Sequence, residues 1–158
     1  MSATTQARAQ RRAENVLIKK ALRVLEERLE YERVTLGGPV AVHDYLCLRL
    51  AEVEHEVFMV IWVDVRNRVI EVEELFRGTL TQTSVYPREV IKAALRCNAA
   101  GALLAHNHPS GTNSPSTADE KLTEVLKNSL ALIDVRLLDH FIVGGAKRPF
   151  SFAERGLL

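Results

Sequence analysis

Two histidines, a serine and an aspartate lie close together in the segment 103–119, LLAHNHPSGTNSPSTAD. Side chains two residues apart on an extended chain point to the same side, so His106 and His108 would present two imidazoles in one direction. Asp119 follows His108 by eleven positions, and a loop of that length can fold back to add a carboxylate. Two imidazoles and a carboxylate leave a fourth position for water, which is the arrangement of a catalytic zinc site.

The same residue types also fit a purely structural interpretation. Ser116 lies three positions before Asp119, the spacing of a helix N-cap and its reciprocal partner, although glutamate is the usual partner. From spacing alone, the metal site and the capping pair stay open as alternatives. The consecutive letters HNH do not indicate an HNH nuclease, because the residues that name that motif lie far apart in its sequence.

The composition is that of an ordinary globular protein. The chain has 158 residues, is 47% hydrophobic and 26% charged, and carries a net charge of +1, which does not favour nucleic-acid or membrane-surface binding. Cys47 and Cys97 form neither a disulfide framework nor a paired metal motif. The longest apolar run, 57–63, is far shorter than the roughly 20 residues that cross a bilayer. We therefore expect a cytoplasmic protein that does not span a membrane.

Alternating and continuous apolar runs predict a sheet built from strands of both directions. A turn between two of the strands indicates a hairpin, and helical segments separate others. This mixture predicts an α/β (α+β) fold, with a mixed β-sheet flanked by helices. The predicted strands cover 56–65, 69–76, 102–105, 135–144 and 149–154.

Helical spacing predicts an amino-terminal arm over residues 1–36, which contain neither Gly nor Pro, with its helix at 13–32. The remainder, 37–158, is expected to form the main domain. A later helix over 117–133 should bury the apolar residues Leu122, Val125, Leu126 and Leu130.

The amino-terminal arm also bears on partners. Arg8, Arg11 and Arg12 stand among the first twelve residues, which contain no acidic residue. They could contact a phosphate backbone, but a frayed cationic terminus is the simpler interpretation. An exposed face of the helix at 13–32 could support a homo-oligomer.

The chemistry-bearing residues also match a family pattern. The run His106-x-His108-x7-Ser116-x2-Asp119 resembles the JAMM motif of the MPN/JAB metallopeptidase-like superfamily. Over residues 40–158 the chain more closely resembles the RadC family of bacterial JAB-domain proteins, in what we expect to be its shorter, single-domain form. The segments that carry this likeness are GTL (78–80), YPREV (86–90), NAAGALLAHNHPSG (98–111), PSTAD (115–119), LLDHFIVGG (137–145) and SFAERGLL (151–158).

The resemblance implies a fold, a metal and a reaction. It implies the MPN/JAB fold, which is cytidine-deaminase-like, for residues 37–158. It implies Zn²⁺ bound by His106, His108 and Asp119, and hydrolysis of a peptide or isopeptide bond in a peptide or protein substrate. Many RadC proteins have been described as DNA repair proteins, so a DNA-associated binding module is the alternative function.

Two further roles follow from the same resemblance. The family pattern has a glutamate at the start of an upstream strand, where it acts as the general base. Glu56 is the best match, and Glu52 and Glu54 are its rivals. Ser116 is expected to donate a hydrogen bond to the tetrahedral oxyanion.

Three further residues, Asn107, Asp139 and His140, are assigned supporting roles. Asn107 is usual in the RadC group, whereas eukaryotic deubiquitinases have Ser or Thr at that position, and its side chain is expected to orient the loop. Asp139 and His140 match the family's DH pair. They are expected to fix the strand next to the site, and a second pair of metal ligands is the alternative.

Overall fold

The computed structural model describes residues 3–31, 39–79 and 84–158. Over these ranges the chain forms a five-stranded mixed sheet with helices on both faces, which confirms the predicted fold class. The elements are α1 (Ala3–Tyr31), α2 (Pro39–Leu50), β1 (Val57–Val63), β2 (Val69–Arg77), α3 (Pro87–Arg96), β3 (Gly101–Asn107), α4 (Thr117–Ala131), β4 (Arg136–Val143) and β5 (Phe150–Ser151).

In the strand order β2-β1-β3-β4-β5, the three central strands β1, β3 and β4 are neighbours, and one end of each lies at the same end of the sheet. β1 runs antiparallel to both β2 and β3, so the start of β1 lies beside the end of β3. β3 and β4 are parallel, and α4 connects them as a crossover helix. The end of β3, the end of β4 and the start of β1 therefore form one rim. His106 and His108 lie at the end of β3, and Glu56 precedes the start of β1.

Strand β1, VFMVIWV, is buried along its whole length because helices cover both faces of the sheet. Its odd-numbered residues pack with α2, whose Tyr45, Leu46 and Leu50 are buried. Its even-numbered residues pack with α3 and α4. Trp62 lies in this second layer and is fully buried, as expected for a core residue.

Helix α4 turns a partly polar face to the sheet. Leu126 and Leu130 are buried as predicted, but Val125 is 48% exposed, so its predicted inward position is wrong. Asp119 and Thr123 are buried on the same face instead. Positions 119, 123, 126 and 130 follow helical spacing, whereas Val125 lies about 100° away from Leu126 around the axis.

Helix α1 begins at Ala3 rather than near residue 13. Residues 3–13 contain no Gly or Pro, which are the residues that disfavour a helix most. Ile18 and Leu22 are half-buried, and Leu22 packs against the core formed with α2. The predicted boundary between residues 36 and 37 lies outside the described residues. Within the described ranges, no helix is both long enough and apolar enough to cross a bilayer.

Candidate metal centre

Two side chains from the rim and one from the first turn of α4 converge on one point. His106 Nε2 lies 3.0 Å from His108 Nε2 and 3.2 Å from Asp119 Oδ1. His108 Nε2 lies 3.5 Å from Asp119 Oδ2. Two atoms that each bind a tetrahedral zinc ion at about 2.0–2.1 Å are about 3.3 Å apart. The three separations lie near that value, with Asp119 Oδ1 facing His106 and Oδ2 facing His108, so the three residues could hold a single small cation.

Strand pleating explains how the histidines reach this point. His106 is the penultimate residue of β3 and is only 1% exposed. The backbone N–H of His108 donates to Val143 O at 2.9 Å, which continues the pairing with β4 by one residue beyond β3. Both imidazoles therefore project towards α4, as residues two apart on an extended chain must.

The first turn of α4 supplies the carboxylate. Ser116 Oγ accepts from the backbone N–H of Asp119 at 3.2 Å. The Ser116 N–H donates to Asp119 Oδ2 at 2.7 Å, and its hydroxyl donates to the same oxygen at 2.6 Å. This is a complete capping box with Asp in place of Glu. The capping pair and the metal-ligand geometry are thus not exclusive, because the cap orients the carboxylate.

The contacts within the cluster favour a positive charge between its members. Burial raises the pKa of Asp119, but the contacts with His106, His108 and Ser116 outweigh burial and hold that pKa below its usual range. The hydrogen bond to Asp119 raises the pKa of His108, against the opposing effect of burial. The site therefore contains an ionised carboxylate that faces two ring nitrogens. A proton and a metal cation would compete for these nitrogens.

The outer nitrogen of His108 is held by a backbone carbonyl. His108 Nδ1 lies 2.9 Å from Thr112 O. A carbonyl oxygen only accepts, so Nδ1 carries the proton and the lone pair of the neutral ring is on Nε2, facing the cluster. The loop that carries Thr112 packs closely on Gly144, just after β4. A Cβ on Gly144 would lie 2.5 Å from Asn113 N and from Thr112 C.

Gly144→Ala should therefore disturb the centre without changing a ligand. The added methyl group must push the loop away, and we expect a loss of about 1–3 kcal/mol in the free energy of unfolding. Because the Thr112 carbonyl moves with the loop, zinc affinity should fall about tenfold. Chemical denaturation and zinc titration measure the two effects.

Gly145→Ala is the matched control for Gly144→Ala. Gly145 has φ +63°, but a Cβ there would meet nothing within 4 Å, so this variant introduces backbone strain without crowding the loop. Zinc affinity should stay near that of the unaltered chain in Gly145→Ala. Equal zinc affinity in both variants would contradict the role given to Gly144.

Glu56 immediately precedes β1, where that strand meets the end of β3. Backbone hydrogen bonds of 2.9 and 2.8 Å join Glu56 to residues 78–79, just after β2. Phe58 pairs with His106 in the antiparallel register. Continuing that register by two residues brings Glu56 opposite His108, at the rim.

Electrostatics agree with this placement of Glu56. After the hydrogen bond to Asp119, which is the largest cause, the charge of Glu56 contributes to the raised pKa of His108. Glu52 and Glu54 are both exposed on the turn before β1. The structure thus brings the backbone of Glu56 opposite His108 of the candidate metal site, and the role of Glu56 as base stays a prediction.

The Asn107 side chain forms hydrogen bonds with the backbone of residues 53–57, which include Glu56. Its side chain is buried and points to the face opposite the histidines. Asn107 Oδ1 accepts from the Val57 N–H at 2.8 Å, and Nδ2 donates to Val53 O at 3.1 Å and His55 O at 3.0 Å. One amide therefore holds the backbone on both sides of Glu56.

Asn107→Ala should lower the free energy of unfolding by about 2–4 kcal/mol, because it leaves a buried N–H and two carbonyls without their partner. Asn113→Ala is the control. Within the described part of the chain the Asn113 side chain makes one exposed bond, to Arg148 O, so this substitution should cost less than about 1 kcal/mol. Urea denaturation of both proteins gives the comparison. Equal stability of the two variants would contradict the role of the Asn107 hydrogen bonds in stabilising residues 53–57.

Thr123 and His140 form a buried layer behind the ligands. His140 Nε2 lies 2.9 Å from His106 Nδ1, and His140 Nδ1 lies 2.7 Å from Thr123 Oγ1. Burial lowers the pKa of His140 well below its ordinary value, so its ring is neutral. Sequence patterns did not single out Thr123. Its one signal is the spacing of four residues from Asp119 on a helix.

Asp139 does not join the cluster. It accepts hydrogen bonds from the backbone N–H groups of His140 and Ala153, at 2.7 and 2.9 Å, and from the Ser151 hydroxyl at 2.6 Å. These bonds tie β4 to β5 and the segment after it. Asp139 therefore has the predicted structural role, and its contacts do not favour the alternative of a second ligand pair.

Comparison with known proteins shows likeness over most of the chain. A family model described as the RadC-like JAB domain matches residues 36–157. A UPF0758 protein of Dechloromonas aromatica is 61% identical over 126 residues, which cover 80% of this chain and 56% of the relative. A UPF0758 protein of Aromatoleum aromaticum is 59% identical over 138 residues, which cover 87% of this chain and 61% of the relative. The matched region thus spans little more than half the length of these curated relatives.

Proposed function

The chain belongs to the RadC family of JAB-domain proteins, and we propose that it is a zinc-dependent hydrolase of peptide or isopeptide bonds. The observation that carries the proposal is the convergence of His106, His108 and Asp119 on separations of 3.0, 3.2 and 3.5 Å. These distances suit three ligands of one cation. The substrate is proposed to be a peptide or protein.

The donor set favours Zn²⁺ over the harder divalent cations. Mg²⁺ and Ca²⁺ prefer oxygen ligands, whereas imidazole nitrogens suit zinc and its transition-metal neighbours. Three protein ligands leave a coordination position open, as in catalytic zinc sites. When bound, zinc would supply Lewis acidity, which polarises a carbonyl group and makes water nucleophilic near neutral pH.

Glu56 is proposed to be the residue that moves protons. Its backbone lies at the rim, in register with His108, and is held on either side by Asn107 and by residues 78–79. A carboxylate in that position would take a proton from the attacking water and deliver it to the leaving amine. Rigid attachment of its backbone keeps the carboxylate near the reacting atoms.

Ser116 is proposed to donate a hydrogen bond to the developing oxyanion. In this structure its single hydroxyl hydrogen points to Asp119 Oδ2. The Ser116 backbone N–H also binds that oxygen, at 2.7 Å. The hydroxyl could therefore turn towards a substrate oxygen while the backbone N–H still orients the Asp119 carboxylate.

Hydrolysis by the zinc-loaded chain tests the proposal. A mixture of peptides, including some with lysine isopeptide bonds, is incubated with the zinc-loaded protein and with chelator-treated protein, and mass spectrometry identifies products. We expect cleavage that disappears with the chelator and returns with zinc. Cleavage by Asp119→Asn at the same rate, or none by the zinc-saturated chain, would contradict the proposal.

A further inference from the structure

His140 is an enclosed imidazole whose two nitrogens both have partners. The residue is 0% exposed, and its ring lies between Phe152, stacked at 5.0 Å, and Phe58, edge-on at 5.9 Å. His106 and Thr123, its two polar partners, are 1% and 2% exposed. The layer is closed to bulk solvent, so each polar hydrogen within it must bond to another group of the protein.

The order of donors in this layer follows from counting hydrogens. The Thr123 hydroxyl donates to the backbone carbonyl of Asp119 at 2.6 Å, and a hydroxyl has only one hydrogen to give. Thr123 Oγ1 must then accept from His140 Nδ1, 2.7 Å away. A neutral imidazole with its proton on Nδ1 has its lone pair on Nε2.

The lone pair of His140 determines the donor on His106. His140 Nε2 can only accept from His106 Nδ1, 2.9 Å away. With its proton on Nδ1, the neutral ring of His106 turns the lone pair of Nε2 towards His108 and Asp119. We infer that Thr123 and His140 are positioning residues, which fix the metal-binding tautomer of His106 through a relay that starts at the carbonyl of Asp119.

The relay joins two of the three ligands. It begins on the backbone of Asp119 and ends on the ring of His106, whose Nε2 lies 3.2 Å from the Asp119 carboxylate. That carboxylate, acting alone, would attract a proton onto His106 Nε2 and block metal binding. The relay opposes this tautomer, because a proton on Nε2 of the neutral ring leaves no donor for His140 Nε2.

The inference rests on the metal-binding part of the proposed function and does not depend on peptide hydrolysis. Thr123→Val keeps the side-chain shape and removes the hydroxyl, and zinc affinity should fall about 10–100-fold. Thr123→Ser restores the hydroxyl and should bind zinc as the unaltered chain does. Zinc titration against a competing chelator measures each affinity.

Ser129→Ala is the matched control on the same helix. The Ser129 hydroxyl donates to Val125 O at 2.7 Å, four residues earlier, as Thr123 does to Asp119, but it lies away from the cluster. Its removal should leave zinc affinity unchanged. Zinc affinity of Thr123→Val within about twofold of Ser129→Ala would overturn the relay.

Nitrogen-15 NMR of the His140 ring provides a readout that structural damage alone would not produce. We expect the His140 proton on Nδ1 in the unaltered protein, both zinc-free and zinc-loaded, and a shift towards Nε2 in Thr123→Val. A proton on Nε2 in the unaltered protein would overturn the inference. Failure of peptide hydrolysis would contradict the proposed reaction but would leave both readouts intact. Failure to bind zinc would contradict the metal site. The position of the His140 proton would still show whether Thr123 and His140 are bonded in the inferred order.

Discussion

His106→Ala should reduce bound zinc from one ion per chain to nearly none after dialysis. The substitution removes one of three ligands, and the remaining pair, His108 and Asp119, cannot hold zinc against exchange with the buffer. His106 is only 1% exposed, so the ligand that is lost lies in an enclosed position. Elemental analysis of purified protein, prepared without chelator, measures the zinc content.

His55→Ala is the control for the loss of an imidazole. His55 is half-buried on the turn before β1, and the described contact to the site uses its backbone carbonyl rather than its ring. The His55→Ala protein should keep one zinc ion per chain. Circular dichroism confirms that both variants are folded. A folded His106→Ala protein that retains one zinc ion would contradict the assigned ligand set.

Glu56→Gln should keep its zinc and lose catalysis. Glutamine matches glutamate in size, but its amide cannot accept the proton of the attacking water, so the rate of hydrolysis should fall about 10²–10⁴-fold. The ligands are untouched, and zinc content should remain that of the unaltered chain. Cleavage rates from the peptide assay, together with elemental analysis, separate the two effects.

Glu54→Gln and Glu52→Gln are the controls for Glu56→Gln. Both residues are exposed on the turn before β1, and neither substitution should change the cleavage rate. If Glu56→Gln is fully active while either control is inactive, the assignment of the base is wrong.

Local patterns were sufficient to predict the fold class. The continuous apolar run of β1 indicates a strand covered on both faces, and the helical spacing after Ser116 indicates α4. The hairpin of β1 and β2 follows from a short turn between two such runs. These signals are local, and the structure agrees with them.

Strand register and helix rotation could not be predicted, because both depend on contacts between distant segments. The pairing of Phe58 with His106 brings Glu56 to the rim, yet nothing in either segment specifies that register. On α4, apolar spacing favoured Val125, whereas the buried position belongs to Thr123, which bonds to His140 on β4. A polar side chain with a partner across the core has no apolar signature.

The partners of Asn107 could not be predicted either, because they lie in a distant segment of the chain. In the sequence it is the letter between two histidines and a marker of the RadC group. In the structure its amide binds Val53, His55 and Val57, a segment about fifty residues earlier. Spacing within the motif carries no information about that segment, so the sequence indicated a role in orientation without indicating the partners.

Anomalous diffraction at the zinc absorption edge, from crystals of the zinc-loaded chain, tests the central claim most directly. We predict one strong peak, within about 2.0–2.2 Å of His106 Nε2, His108 Nε2 and a carboxylate oxygen of Asp119. A zinc-saturated crystal with no peak between these three atoms, or with zinc bound only elsewhere, would contradict the metal centre and the function built on it.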